Sequence, residues 1–555
     1  MTNEEIAEQI KYLGKLLDLH DENPFKAKVL AAASFQIDKC KTELEEMSDD
    51  AIVRIPSVGK SMLNIIHELI ETETIEELEI LLGKTPKGLL EMMQIKGLGP
   101  KKIRTIWKEL EIESVGELLY ACNENRLVEL KGFGEKTQND VIKQIQFINQ
   151  SQHKFFYSEG LMVAEELLNL LQTKFSKAQF DCTGEIRRKE IVLEKVELIG
   201  ILDFADKNEV IELLKSNLYF SFEQAEEFIS GKFAQRFPIE IFLVAKDEYV
   251  RQQFFKTSSV KHLEQLPKIN ESKIYASEKE IYADLQMQFI EPELRNGLQE
   301  VELAKKNLLP KLIEEKDIKG VIHCHSKYSD GKTNIKEMAE YCIQQGFEYL
   351  CMSDHSQSAT YADGLKPDKI YQQHDEIDGL NKKFFPFKIF KGIESDILYN
   401  GDLDYENEVL SSFDFVIASV HSVLRMNEET AMKRLLKAIE NPFTTILGHP
   451  TGRLLLSREG YPIDHKKIID ACAANKVVIE LNANPHRLDM DWWWIYYALE
   501  KEVMIAINPD AHNLQGVHDI KYGIAAARKG MLSSSKCLNN MDVQHIEKYF
   551  SEKRK

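Results

Sequence analysis

Gly320-Val321-Ile322-His323-Cys324-His325-Ser326-Lys327-Tyr328-Ser329-Asp330 decides how the last two-fifths of this 555-residue chain is built. A short apolar strand runs directly into two histidines and then a carboxylate. The pattern recurs down the chain. Tyr349–Met352 precedes Ser353-Asp354-His355, and the apolar run Phe387–Phe390 precedes Gly392-Ile393-Glu394. Phe415–Ser419 leads to His421, Thr445–Leu447 to Gly448-His449-Pro450, and Met504–Ile507 to Asn508-Pro509-Asp510-Ala511-His512. Val477–Leu481 is a further strand, and helical stretches lie between the strands. Repeated βα units imply a parallel sheet or barrel, which places catalytic residues at the C-terminal ends of its strands.

A single His or Asp at a strand end is usually a cap or a hydrogen-bonded core residue. Here His323, His325, Asp330, His355, Glu394, His421, His449, Asp510 and His512 all fall at or just beyond strand ends. In an extended His-x-His, strand periodicity points both imidazoles the same way, so His323 and His325 are expected to chelate one ion. Imidazole and carboxylate ligands without thiolate suit Zn, Mn or Fe. Two or three such ions a few Å apart activate water and clamp a phosphate. This predicts a metal-dependent phosphoesterase from about Val321 onward.

Upstream, residues 1–150 read as helical and carry three hairpins. Ile55-Pro56-Ser57-Val58-Gly59-Lys60 opens one helix, Ile95-Lys96-Gly97-Leu98-Gly99-Pro100-Lys101-Lys102 a second, and Leu130-Lys131-Gly132-Phe133-Gly134-Glu135-Lys136 a third. Paired glycines permit a tight turn with close backbone approach. The amides then sit at a helix N-terminus, which favours an anion. A DNA phosphate fits, with Lys60, Lys101, Lys102 and Lys136 adding charge. Ser57 stands where the leading glycine of the first copy would be. Between the two regions, Glu190–Gly200 and Phe237–Val244 read as strands, and the charged Glu314-Glu315-Lys316-Asp317 reads as a linker.

The net charge of −19 excludes a general DNA coat, because non-specific binding runs on Lys and Arg. Any DNA contact has to come from backbone amides and local patches. No apolar run reaches the ~18 residues of a membrane span, and no secretory signal precedes the first helix. None of the eight cysteines forms a Cys-x-x-Cys pair. The expectation is free thiols in a reducing cytoplasm.

The ligand spacing resembles the polymerase-and-histidinol-phosphatase (PHP) domain. By that resemblance one ion takes His323, His325, Glu394 and Asp510. A second shares Glu394 and takes His421 and His449, and a third takes Asp330, His355 and His512. Glu480-Leu481-Asn482-Ala483-Asn484-Pro485-His486-Arg487-Leu488-Asp489 and Gly448-His449-Pro450-Thr451-Gly452-Arg453 resemble the variant fused to bacterial family X DNA polymerases. Arg453 and Arg487 there either hold phosphate or pair with a nearby carboxylate. Trp492-Trp493-Trp494 either stacks on bases or, as the surrounding pattern favours, packs on the barrel.

The hairpins resemble helix-hairpin-helix motifs, and the whole order is similar to a family X polymerase, with Glu22-Asn23-Pro24-Phe25-Lys26 fitting its lyase domain. The implied fold is multidomain α/β: a helical region, an α+β nucleotidyltransferase-like palm and a distorted (β/α)7 barrel. The implied layout is lyase-like 1–80, fingers-like 81–150, palm-like 151–245, thumb-like 246–313 and PHP 314–555. The resemblance breaks in the palm. The phosphate turn reads Thr183-Gly184-Glu185-Ile186-Arg187-Arg188, with Glu185 in place of serine. The Asp-x-Asp pair falls on Lys195-Val196-Glu197, or one residue earlier on Glu194-Lys195-Val196, and the third Asp falls on Glu240. A metal carboxylate is missing either way, so Glu197 and Glu240 form a degenerate triad and Mg would be needed only if the palm works. The lyase lysine falls on Ile65, which forms no Schiff base.

The function expected is DNA repair: binding of gapped or 3′-ended DNA and metal-dependent 3′–5′ hydrolysis by a barrel holding three divalent ions, Mn or Zn. The rival is a small-molecule phosphatase of the histidinol-phosphatase type with a non-catalytic front end.

Overall fold

The apolar-x-Gly-apolar-Gly stretches fold into the same turn each time. The computed structural model describes residues 1–40, 42–123, 126–151, 154–201, 207–217, 220–224, 228–234, 237–456 and 459–553. These fall into two units, Met1–Gln152 and His153–Lys555. In the first unit, the amide of Val58 donates to Ile55 O at 3.0 Å, that of Leu98 to Ile95 O at 3.1 Å, and that of Phe133 to Leu130 O at 3.1 Å. The residue before each amide is left-handed: Ser57 at φ 67°, Gly97 at 94° and Gly132 at 89°. Glycine adopts this freely, whereas Ser57 holds it at a cost of about 1 kcal/mol. Val58, Leu98 and Phe133 are buried as the inward pegs of the turns. Helices Lys60–Thr72, Pro100–Leu110 and Glu135–Ser151 then begin. Helix Asn3–His20 opens on a capping box between Thr2 and Glu5 and buries Ile6, Ile10, Leu13 and Leu17 along one face.

The second unit contains a five-stranded mixed sheet and a seven-stranded parallel one. The mixed sheet comprises β1 (Gln179–Thr183), β2 (Val196–Ile201), β3 (Phe220–Gln224), β4 (Ile229–Phe233) and β5 (Phe237–Val244), in the order β1-β2-β5-β4-β3. Strands β2 and β5 pair in parallel and bring Glu197 level with Glu240. The run Glu190–Gly200, expected as one strand, is broken: Val192–Leu193 pairs with Phe155–Phe156, and the chain bends before β2. At the bend, the Glu194 amide donates to the Glu185 carboxylate at 2.8 Å rather than to a ladder partner.

The parallel sheet comprises β6 (Gly320–Cys324), β7 (Tyr349–Met352), β8 (Lys388–Asp396), β9 (Phe415–Ser419), β10 (Ile446–Leu447), β11 (Val478–Asn482) and β12 (Ile505–Asn508), laid side by side in sequence order. Its edges approach closure: Cys324 bridges to Ala511, with His325 N–H on Ala511 O at 2.9 Å and Ala511 N–H on His323 O at 3.2 Å. Both faces of each strand are buried, so the strands read as continuous apolar runs. Phe390, Phe415, Ile417, Val478 and Ala506 form the barrel interior together with Ile546 and Phe550 of helix Val543–Lys553. Ile389, Val416, Leu447 and Ile479, out of phase with them, pack on the surrounding helices. A Cβ at Gly392 would lie 2.2 Å from the Phe415 ring, so the interior aromatic requires glycine there. By the two-residue period, Glu394 shares the face of Phe390 and Glu480 that of Val478. Both carboxylates therefore enter the barrel at the C-terminal end of its strands.

Two local expectations change. Glu314–Asp317 is not a free linker: Glu315–Asp317 is a 3-10 turn whose Asp317 carbonyl accepts from Asn540. The His323/His325 pair is not extended, since His323 has φ 66° and the register shifts between Ile322 and Cys324. The two rings still converge, with centroids 5.2 Å apart, because the bulge rather than the pleat turns them. The barrel and the mixed sheet are tied by buried Lys529, whose ammonium lies 3.1 Å from both Glu190 Oε1 and the Arg188 carbonyl.

Candidate metal centre and the palm-like sheet

Six imidazoles and three carboxylates meet at the barrel mouth. Glu394, on β8, is the hub: its Oε1 lies 3.3 Å from His323 Nε2, 3.1 Å from His421 Nε2 and 3.0 Å from His449 Nε2. Its Oε2 lies 2.9 Å from His355 Nδ1. Asp510 Oδ1 lies 3.0 Å from His325 Nε2 and 3.5 Å from His323 Nε2. Asp330 Oδ2 lies 3.6 Å from His355 Nε2 and 3.4 Å from His512 Nε2. Within this cluster, His325, Asp330, His355 and His512 form one set able to grip a single ion, His323, His325 and Asp510 a second, and His355, Glu394 and His421 a third.

These atoms fit a metal better than they fit each other. His323 Nε2 and His325 Nδ1 are buried and make no hydrogen bond among the described residues, although carboxylate oxygens lie within 4 Å. Both residues belong, with Asp510, to a set whose ligand atoms lie within 4.8 Å of one another. The outer nitrogens are held: His323 Nδ1 is 2.7 Å from Glu480 Oε2, and His421 Nδ1 bonds to Asp396. With the proton on Nδ1, Nε2 faces inward as a ligand, the usual carboxylate–histidine–metal arrangement. Glu480 is braced in turn by the His449 amide at 3.1 Å and by Asn508 Nδ2 at 2.8 Å. Asp354 bonds Ser326, Ser329 and Gln373 and so fixes the loop that carries Asp330.

Electrostatics agree with a cation site. Burial opposes the imidazolium of His355, but Glu394 and Asp330 outweigh it and lift its pKa to about 10. Against the same opposition from burial, Glu394 and Asp396 raise His421 to about 9. His325 is pushed down to about 4 by burial and by the neighbouring His355 and His512. The surrounding imidazoles hold Glu394 and Asp510 well below the carboxylate range despite burial. Positive charge is wanted at the carboxylates, and His325 remains a neutral donor.

Sequence reading singled out no role for Glu480, Asp396 or Asp354. Glu480's place on the interior face beside Val478 is the one signal that could have marked it. We expect Glu480→Gln to weaken metal binding by roughly 10- to 100-fold without unfolding the barrel. Competition against a chromophoric chelator measures this, and unchanged affinity would remove Glu480 from the ligand support.

Arg453 is fully engaged, with Asp491 and the carbonyls of Arg487 and Leu488 as partners. Arg487 makes no ion pair among the described residues. Trp492 and Trp494 pack against the barrel core, whereas Trp493 is 51% exposed. At the hairpins, a Cβ at Gly59, Gly97, Gly99, Gly132 or Gly134 would meet nothing within 4 Å. Lys60, Lys101 and Lys136 are exposed, while Lys102 lies over the Phe133 ring at 5.5 Å.

In the palm-like sheet, Lys195 Nζ sits 2.7 Å from Glu240 Oε2 and 3.4 Å from Glu197 Oε1. An ammonium therefore lies between the two glutamates. Glu197 presses on the phosphate turn so closely that a Cβ at Gly184 would fall 1.8 Å from its Oε2. Half-buried Glu185 lies in the same turn, with its pKa raised mainly by desolvation. Arg187 is spent on Glu278, by two contacts of 2.8 Å, and Glu278 also pairs with buried Arg295.

Comparison with known proteins agrees with these parts. The family profile described as PHP domain matches residues 322–484, that of a helix-hairpin-helix domain residues 1–75, and that of a SAM-like helix-hairpin-helix tandem residues 89–146. The protein named "Probable phosphatase" from Thermoanaerobacter sp. is 28% identical over 40% of this chain and 90% of its own length. A protein of the same description from Clostridium acetobutylicum is 31% identical over 29% of this chain and 63% of its own. The "DNA polymerase/3'-5' exonuclease PolX" of Bacillus subtilis is 32% identical over 99% of both chains. Similarity running through helical region, mixed sheet and barrel alike places this chain in the bacterial family X DNA polymerases that carry a C-terminal PHP domain.

Proposed function

We propose that this protein binds DNA through its hairpins and removes nucleotides from a 3′ end with its barrel. The convergence of nine ligand side chains on one barrel mouth carries the reading. We assign three divalent ions, Mn or Zn: one to His323, His325, Glu394 and Asp510, one to Glu394, His421 and His449, and one to Asp330, His355 and His512. When bound, the ions supply an acidified water and a charge clamp on the phosphate. The chain's own part is to keep the imidazoles oriented through Glu480 and Asp396 and to hold the inner donors away from bulk water. Arg487 is the cation left to meet a phosphate. Of the two activities in the Bacillus subtilis protein's name, the second is the one assigned here. We take the layout as 1–80 and 81–150 for DNA binding, 151–245 and 246–313 for a palm and thumb without insertion chemistry, and 314–555 for hydrolysis.

The deciding experiment is metal-dependent digestion of a 3′-labelled strand, alone and in a one-nucleotide gap, with and without nucleotides. Shortening that requires Mn²⁺ or Zn²⁺ supports the proposal, and no shortening under any metal overturns it. The resemblance of the barrel alone to proteins named as phosphatases favours a second reading, hydrolysis of small phosphate monoesters. Turnover of such a monoester with no action on DNA would establish that reading.

The hairpins make a separate expectation. Gly99 is extended, Gly134 lies outside the left-handed region, and both have open space around them, so neither packing nor backbone strain demands glycine there. Phosphate approach would demand it. Gly99→Leu with Gly134→Leu should leave the melting temperature unchanged and weaken DNA binding by about 10-fold or more, equally across sequences. A low-salt titration with unchanged affinity would place DNA elsewhere.

A further inference from the structure

The aromatic cluster beside the metal centre is not used by anything above. Trp492, Trp493 and Trp494 form a 3-10 turn after β11, but they do three different things. Trp492 turns inward beneath the Lys529 ammonium, 4.9 Å from its ring. Trp494 is covered by His465, with centroids 4.5 Å apart and planes 6° from parallel. Trp493, edge-on to Trp492 at 5.7 Å, leaves its face open. These rings line a cavity of about 640 Å³ together with Thr451, Arg453 and Tyr461.

One lining residue ties the cavity to the neighbourhood of the metal centre. Thr451 lies two residues beyond His449, so their Cα atoms are at most ~7.6 Å apart. Thr451 is fixed at the rim by two 3.0 Å bonds to buried Asp489. Other exposed apolar side chains leave the same end of the barrel: Tyr399 after β8, 68% exposed, and Val423 after β9, 53% exposed. Asp491 neutralises Arg453 in the lining, so the wall is aromatic and carries little net charge.

We propose that this cavity is a nucleobase subsite, in which a base of a single-stranded 3′ end stacks on the open face of Trp493 while its backbone reaches the metal centre. The occupant is a planar, electron-rich ring joined to a phosphate: the ring matches the aromatic wall, and the phosphate matches the neighbouring ligand cluster. Stacking tolerates any base, so the subsite adds affinity without adding sequence preference. The inference rests on the hydrolytic reading of the barrel, and the test separates the two.

The experiment compares two single strands, one normal and one whose last three nucleotides are abasic, with wild-type protein, Trp493→Ala and Trp493→Phe. A stacking contact is worth ~1–3 kcal/mol per base, or roughly 5- to 150-fold. Trp493→Ala should raise KM for the normal strand by about 10-fold or more, with kcat unchanged. Trp493→Phe should recover most of the loss. On the abasic strand all three proteins should behave alike, and wild type should prefer the normal strand by the same factor. If wild type cleaves both strands equally, or if Trp493→Ala matches wild type on the normal strand, the subsite is wrong while the hydrolytic reading stands. If wild type cleaves neither, the hydrolytic reading fails and the subsite with it. Should Trp493→Ala misfold, the wild-type comparison and Trp493→Phe still decide.

Discussion

His323→Ala combined with His325→Ala should abolish hydrolysis of a 3′-labelled strand, by roughly a thousand-fold or more. The two rings reach the same oxygen of Asp510, and His323 also reaches Glu394, so their loss opens two of the three ligand sets together. Neither contributes to the apolar interior formed by Phe390, Phe415 and Val478. The fold should survive, with far-ultraviolet circular dichroism unchanged and bound metal, measured by atomic absorption, reduced by at least one ion. Full activity in the double variant would sink the ligand assignment. Reduced activity at full metal occupancy would move His323 and His325 from ligand to orienting roles.

Nucleotide insertion should be absent or at least about a thousand-fold below that of a working two-metal palm. Three carboxylates ordinarily hold the ions that activate the primer hydroxyl and neutralise the triphosphate. Here Lys195 occupies the position between Glu197 and Glu240, at 3.4 and 2.7 Å. An ammonium offers no coordination sites to bridge hydroxyl and phosphate. The turn that should cradle the triphosphate holds the Glu185 and Glu197 carboxylates instead, so charge repulsion adds to the missing ligand. Primer extension on a one-nucleotide gap with Mg²⁺ or Mn²⁺ is the check. Robust extension that vanishes in Glu197→Gln would mean the glutamates work as a shifted triad.

The barrel was legible from sequence because its signals are local. Each ligand sits at the end of an apolar strand, and strands such as Tyr349–Met352 and Phe415–Ser419 have the limits expected of them. The supporting groups were not legible, because Glu480 meets His323 across 157 residues and no spacing rule links them. The His323 bulge was missed for a different reason: pleat periodicity assumes a regular strand, and a left-handed residue breaks it. The hairpins were read through their glycines, yet Ser57 holds the same left-handed turn without one, as the repeated Val58 amide bond to Ile55 makes plain. The bend between Val192–Leu193 and β2 depends on a side chain capturing the Glu194 amide, a contact that residue types alone do not specify.

The ammonium set between Glu197 and Glu240 has a consequence for how the protein responds to chelators. A working palm borrows its positive charge from solution and loses it when divalent ions are withdrawn. In this chain the charge is attached to Lys195 and stays. Ethylenediaminetetraacetic acid should therefore silence the barrel while leaving the mixed sheet's charge balance intact, and the backbone amides of the hairpins should stay in place. Grip on DNA and cutting of DNA should then be separable by ionic conditions alone: hydrolysis is expected to stop in chelated solution and to return with the divalent metal, while DNA binding persists throughout.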